Sequence, residues 1–165
     1  MDASKELREN LQQVLVDLIE LHVQGKQAHW NVVGKNFRDL HLQLDELVAQ
    51  AREFSDRIAE RMRALHAVPD GRSSTVSATT HLAAFPPGLV RTKDVVDLIG
   101  ARLEQAAGTV RSVHDQVDEE DPTTADLLHA IIASLEQLAW MVEAENMSPG
   151  PAKNKKTRTA KTKSP

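Results

Sequence analysis

Four long stretches of helical periodicity, with no strand signal between them, are what most constrains the fold of this chain. In the first, from about Ser4 to Val32, Leu7, Leu11, Val14 and Leu18 recur on one stripe. The second runs from about Asn36 to Ala67 and carries Leu40, Leu44, Leu47, Ala51, Phe54, Ile58, Met62 and Leu65. The third is predicted to open at Thr92 as N-cap and carries Val96, Ile99, Leu103, Ala106, Val110, Val113 and Val117. The fourth is predicted to open at Asp121-Pro122, an N-cap followed by proline in the first helical position, and carries Leu128, Ile131, Leu135, Leu138 and Val142. Between the second and third lies a long connection, Val68 to about Arg91, with Pro69, Gly71, Pro86, Pro87 and Gly88. Its Ser/Thr-rich part has only a weak helical pattern. Two hairpins of long helices joined by a long crossover make an all-α four-helix bundle.

The chain has 165 residues and reads as one domain, residues 1–146, followed by a tail, residues 147–165. Its apolar stretches are too short to cross a bilayer, so no membrane role is expected. Residues Met1–Glu6 lack the basic-then-apolar layout of a secretory signal. Cysteine is absent, which excludes disulfides, thiolate metal sites and Cys nucleophiles. The seven histidines and 24 carboxylates remain as metal ligands, suited to borderline or hard metals. No phosphate-binding Gly loop and no catalytic Ser or Lys arrangement is present.

Charge is distributed unevenly. All 24 acids lie at or before Glu145, with 14 of the 20 cations. The rest of the cations, Lys153, Lys155, Lys156, Arg158, Lys161 and Lys163, follow with no acid among them. An acidic body with a basic, non-periodic tail suggests two functions on two surfaces.

The chemically informative residues are His29, His41, Asp45, Asp56 and Glu60. His41 and Asp45 are one helical turn apart, as are Asp56 and Glu60. At about 100° per residue these four occupy a sector of roughly 100°, centred roughly 150° from the apolar stripe. The cluster therefore points away from the bundle core, and no Glu-x-x-His motif for an intra-bundle site occurs. Asp45 and Asp56 stand about 16 Å apart along a helix, too far to share one ion. If two copies cross near Ala49 to Ala51, His41 and Asp45 of one meet Asp56 and Glu60 of the other, with small Ala49 permitting the approach. A two-fold axis then yields two equivalent sites. His29 would join from the His41 side. Two histidines and three carboxylates suit Fe(II). His66/Asp70 and His114/Asp118 share the i, i+4 spacing without such company.

The stretch Lys26-Gln27-Ala28-His29-Trp30-Asn31-Val32-Val33-Gly34, then Phe37, Leu40-His41 and Asp45-Glu46, followed by Asp56-x-x-x-Glu60, resembles the signature of the Dps family of ferritin-like proteins. The resemblance covers the whole four-helix region and is most specific in the first two helices. It implies a ferritin-like bundle with a ferroxidase centre holding two iron atoms at a dimer interface. His29, His41 and Asp45 would come from one subunit, Asp56 and Glu60 from its partner. It further implies Fe(II) oxidation, preferably by hydrogen peroxide, Fe(III) mineral held inside a dodecameric shell, protection of DNA, and a cytoplasmic, nucleoid-associated protein. Trp30 would lie near the centre, whereas Trp140 is expected in the core.

In such a shell the acidic run around the third turn, Asp118, Asp121 and Asp126, would line a pore that attracts cations. Asp121 also suits a helix N-terminus without any pore. The six tail cations can neutralise phosphates, and the tail has neither an aromatic residue nor a groove-reading motif. DNA binding is therefore expected to be independent of sequence and strengthened by many tails on one particle. The alternative is an architectural protein that mainly compacts DNA, with secondary iron chemistry.

Overall fold

The computed structural model describes residues 2–148. Along the chain come α1 (Lys5–Asn31), β1 (Val32–Val33), α2 (Phe37–Ala64), α3 (Ser73–Thr79), β2 (Val90–Arg91), α4 (Thr92–Glu120) and α5 (Pro122–Ala144). The four long helices are the expected ones, and every apolar position named for their stripes is buried. The apolar spacing is what forces this, since each helix can hide its stripe only against the other three. α1 packs most extensively on α2, and α4 on α5.

Short links make both hairpins antiparallel. The backbone N–H of Ala3 donates to the carbonyl of Leu65, which sets the start of α1 beside the end of α2. Ser4 caps α1 through its Oγ, which accepts from Leu7 N–H at 3.0 Å, and itself donates to Glu120 at the end of α4. At the other end of the bundle Asn146 Nδ2 donates to the carbonyl of Lys93 and to Asp97, joining the exit of α5 to the first turn of α4. α2 therefore ends at the opposite end from where α4 begins, and residues 65–91 must travel the length of the bundle.

That crossover departs from the sequence expectation in two ways. Its Ser/Thr part forms the short helix α3, with Val76 buried. Its end forms a two-residue parallel bridge with β1, pairing Val32 with Val90 and Val33 with Arg91. Two-residue strands carry no periodicity to read. Gly34, at φ 120°, lets the chain turn from β1 into α2.

Smaller corrections concern ends and faces. Thr92 is the first helical residue of α4 and Arg91 holds the cap position. Asp121 is the N-cap of α5 as expected, but its carboxylate does not cap the helix. It accepts from Arg61 Nη2 at 2.6 Å and from the Thr124 hydroxyl. Trp140 is 63% exposed and not in the core, because it stands on the α5 face opposite Leu138 and Val142. Among the described residues α5 alone is long and apolar enough to cross a membrane, at a mean hydropathy of 1.2. Its apolar side, Leu128 to Val142, is buried against the other helices of the bundle.

One buried carboxylate fastens the crossover. Asp17, on α1 and 1% exposed, accepts from the Thr80 hydroxyl at 3.0 Å, His81 N–H at 2.8 Å, Gln13 Nε2 at 3.3 Å and the Thr109 hydroxyl at 2.9 Å. Three elements thus meet on one side chain: α1, the crossover and α4.

Candidate metal centre

The site is built where α1 ends and α2 begins. Gly25 allows the close approach: a Cβ there would stand 2.7 Å from Leu47 Cδ2. One turn on, His29 is buried, and its ring stacks on that of His41 with centroids 3.6 Å apart and planes 20° apart. Each ring is fixed by the other's backbone. His29 Nδ1 donates to the carbonyl of His41 at 2.9 Å, and His41 Nδ1 donates to the carbonyl of His29 at 3.0 Å. A carbonyl only accepts, so each Nδ1 bears hydrogen. In the neutral rings both lone pairs are therefore on Nε2, the tautomer that binds a metal.

Asp45, one turn beyond His41 on α2, lies 3.3 Å from His29 Nδ1 and 2.6 Å from Lys26 Nζ. The Lys26 hydrogen bond holds the Asp45 carboxyl below the ordinary carboxylate range, outweighing the upward push of burial. Sequence reasoning passed over Lys26. Its spacing of three from His29 was visible, but nothing in the pattern says that its ammonium reaches across to α2.

Asp56 and Glu60 are exposed, about three and four turns beyond Asp45 on α2. Within one chain they do not meet His29, His41 and Asp45. No group of three or more His, Asp or Glu is assembled around one point among the described residues. Asp45 and Asp56, one from each half, instead stand at opposite ends of one trough on the α1–α2 face. One end is lined by Trp30, Lys26, Asp45 and Ala49, the other by Asp56, Ala59 and Pro69. His22 and Arg52 line both. Burial and the Arg52 charge hold His22 below the usual histidine range, against a weaker pull from Glu20. Ala49 is exposed in mid-trough, while Ala51 is buried. Trp30 is 67% exposed and Val23 49% exposed, so this polar trough has apolar rims. Exposed apolar area beside an incomplete ligand set is what a second protein surface would cover.

The acidic run does not act as one group. Asp118 and Asp126 are exposed, whereas Asp121 is buried. Burial pushes the Asp121 carboxyl up, but hydrogen bonds from Thr124 and Arg61 and the Arg61 charge outweigh it and hold the group below the ordinary range. The rings of His114 and His129 lie with centroids 4.2 Å apart and planes tilted by 36°, and His129 Nδ1 is 4.0 Å from Asp126. The His66/Asp70 pairing does not form: Asp70 is held by Arg72 and Thr75, which lower its carboxyl well below the usual range. Lys153, Lys155, Lys156, Arg158, Lys161 and Lys163 lie outside the described residues.

The Lys26–Asp45 pair leads to a measurable expectation. Lys26 Nζ sits on Asp45 Oδ1, so a divalent cation bound through that oxygen must displace it. Lys26→Met should raise the affinity of the assembled protein for Co(II), read by calorimetry, by about fivefold, the worth of one half-exposed ion pair. Unchanged affinity would mean that the pair opens without cost.

Comparison with known proteins adds the family. The ferritin-like domain model matches residues 8–146. The chain is 36% identical over 135 residues to the DNA protection during starvation protein of Agrobacterium fabrum, covering 81% of this chain and 83% of that one. It is 38% identical over 138 residues to the fine tangled pili major subunit of Haemophilus ducreyi, covering 84% and 73%. Among solved structures it is similar to Dps from Microbacterium arborescens in its high iron form, at 33% identity and a TM-score of 0.82, covering 88% of this chain and 98% of that one. With the bundle, its long crossover and the matched residues all in agreement, the chain belongs to the Dps family of ferritin-like proteins.

Proposed function

We propose that this protein oxidises Fe(II) at a centre shared between two copies, stores the Fe(III) product inside a hollow homo-oligomer of Dps type, and thereby protects DNA. The reciprocal clamp of His29 and His41 beside Asp45 carries the reading. Two imidazoles with preset Nε2 lone pairs and an ionised carboxylate form half a ligand set, with the carboxylate of Asp45 on the wall of an open trough. Asp56 and Glu60 of a partner, brought in by a two-fold axis, would complete it.

Iron is the substrate here. In the proposed reaction two Fe(II) each lose one electron to one hydrogen peroxide, which takes up two protons and leaves as two waters. The carboxylates favour the Fe(III) product as hard anionic ligands. Pairing the electrons at one centre avoids the one-electron step that would release hydroxyl radical. Trp30, exposed on the trough rim beside Asp45, would be next to that chemistry. For iron entry, Asp118 and Asp126 are the exposed carboxylates of the three, and we assign the pore to them ahead of buried Asp121, which Arg61 holds.

The direct test follows Fe(II) oxidation by near-ultraviolet absorbance after adding peroxide to the assembled protein. Asp56→Ala/Glu60→Ala, shown to assemble normally, should oxidise iron roughly a hundredfold more slowly. Equal rates would reduce the cluster to a charged surface, and DNA compaction would become the leading function.

A DNA role rests on the six tail cations. Truncation after Asn146 is expected to abolish DNA shifts on a gel while iron oxidation survives. With the tail present, affinity should fall steeply with salt, by a slope of about one per phosphate neutralised. A shift that persists after truncation would remove the tail from the DNA reading.

A further inference from the structure

The α4–α5 face carries a groove that the iron chemistry does not use. It holds about 390 Å³ beside Trp140, and its floor is made by Leu103, Ala107 and Gly108. A Cβ at Gly108 would meet nothing within 4 Å, so the floor is open there. Trp140, expected in the core, presents an indole that is 63% exposed. The polar rim is acidic: Glu104, Glu136 and Glu143 against the single Arg111. Arg111 is taken by Glu136. Among the described residues Glu104 and Glu143 enter no ion pair, which leaves two carboxylates flanking an exposed indole.

Such a surface fits an apolar-backed, cationic peptide. Carboxylates attract ammonium and guanidinium groups, and the indole face binds the same cations through its quadrupole. The chain supplies such a segment within reach. Asn146 ties the exit of α5 to Lys93 and Asp97, so the chain leaves along the α4 side of the bundle. Seventeen residues follow Ser148, and they contain six cations and no acid. Trp140 lies four residues before the end of α5, about 6 Å along the axis. The five residues from Pro149 to Lys153 can span about 17 Å when extended. Lys153, Lys155 and Arg158 can therefore fold back onto Glu143, Trp140 and Glu104.

We infer that the α4–α5 groove around Trp140 is a docking site for the basic C-terminal segment, which shares its cations between this groove and external polyanions. Docking itself does not depend on the DNA reading; the competition with phosphate rests on it. The contact amounts to about two exposed ion pairs and one cation–π contact, or roughly a factor of ten in occupancy. Salt that screens exposed charges should release it.

The experiment uses the assembled protein with Trp30→Phe, which leaves Trp140 as the only tryptophan, since the chain has two. Acrylamide quenching of Trp140 is compared in the full chain and in a chain ending at Ser148, at low and at high salt. Docking predicts a shielded indole in the full chain at low salt, and an exposed one at high salt or without the tail. Glu104→Gln/Glu143→Gln in the full chain should give the truncated value and should bind a short duplex DNA about tenfold more tightly. Equal exposure in both chains would overturn the docking. Equal shielding in both would also overturn it, because another copy of the bundle would then cover Trp140. If the tail shields Trp140 but truncation leaves DNA binding unchanged, the docking stands and the DNA reading of the tail falls.

Discussion

Mixing two inactive variants is expected to restore about a quarter of the parent's rate of Fe(II) oxidation. One variant is His29→Ala/His41→Ala, which removes the histidine half of the centre. The other is Asp56→Ala/Glu60→Ala, which removes the carboxylate half. Alone, each oligomer would have every site broken and oxidise iron roughly a hundredfold more slowly. In a mixed dimer one site takes both good halves and the other takes both damaged ones. With random pairing half of the dimers are mixed and half of their sites are intact, which gives the quarter. The prediction follows from distance: Asp45 and Asp56 are about 16 Å apart on one straight helix, and no rotamer closes that gap. Co-expression with two tags and purification of doubly tagged oligomers provides the sample. If each site lay within one chain, mixing would restore nothing. Recovery above the background of either variant is therefore specific to a shared site.

The second large effect concerns stability. Asp17→Ala should destabilise the folded chain by about 3 kcal/mol, because His81 N–H and the hydroxyls of Thr80 and Thr109 lose their buried acceptor together. In a chain of this size that corresponds to a melting temperature lower by about 10 °C. Asp17→Asn keeps the shape and one acceptor oxygen but turns a donor toward Thr109, so its loss should be about half as large. Thermal unfolding must be compared at one protein concentration, since assembly stabilises whatever it binds. The damage should start in the crossover: amide exchange would rise at His81 and Leu82 before the helix centres. A loss below about 1 kcal/mol for Asp17→Ala would show that water replaces the carboxylate at little cost.

The Arg61–Asp121 pair adds a pH dependence of known sign. Asp121 has its carboxyl lowered on folding, so its contribution is present above the ordinary carboxylate range and is lost as pH falls through the lower folded value. Acid should therefore loosen the junction of α4 and α5 first among the helix ends.

Much of this molecule was legible in its residues. Periodicity gave the four long helices, because each apolar stripe admits only one inward side. The i, i+4 spacing of His41/Asp45 and Asp56/Glu60 is enough to put these side chains on an outward face of the helix. The string around His29 carried the resemblance to the Dps family, which the ferritin-like domain match over residues 8–146 and the relatives bore out.

What the sequence could not decide is what depends on neighbours from distant positions. Trp140 falls in an apolar helix, and only the placement of α4 shows that its side is left uncovered. Asp17 is one acid among 24 until Thr80, His81 and Thr109 close around it. Lys26 reads as a surface charge until α2 brings Asp45 to within 2.6 Å. Asp121 was one of three similar acids, and Arg61, sixty residues away in sequence, sets it apart. Helical periodicity is a local property of the backbone, so the residues alone determine it. The charge that each polar side chain meets is a long-range property, and only the packed tertiary structure settles it.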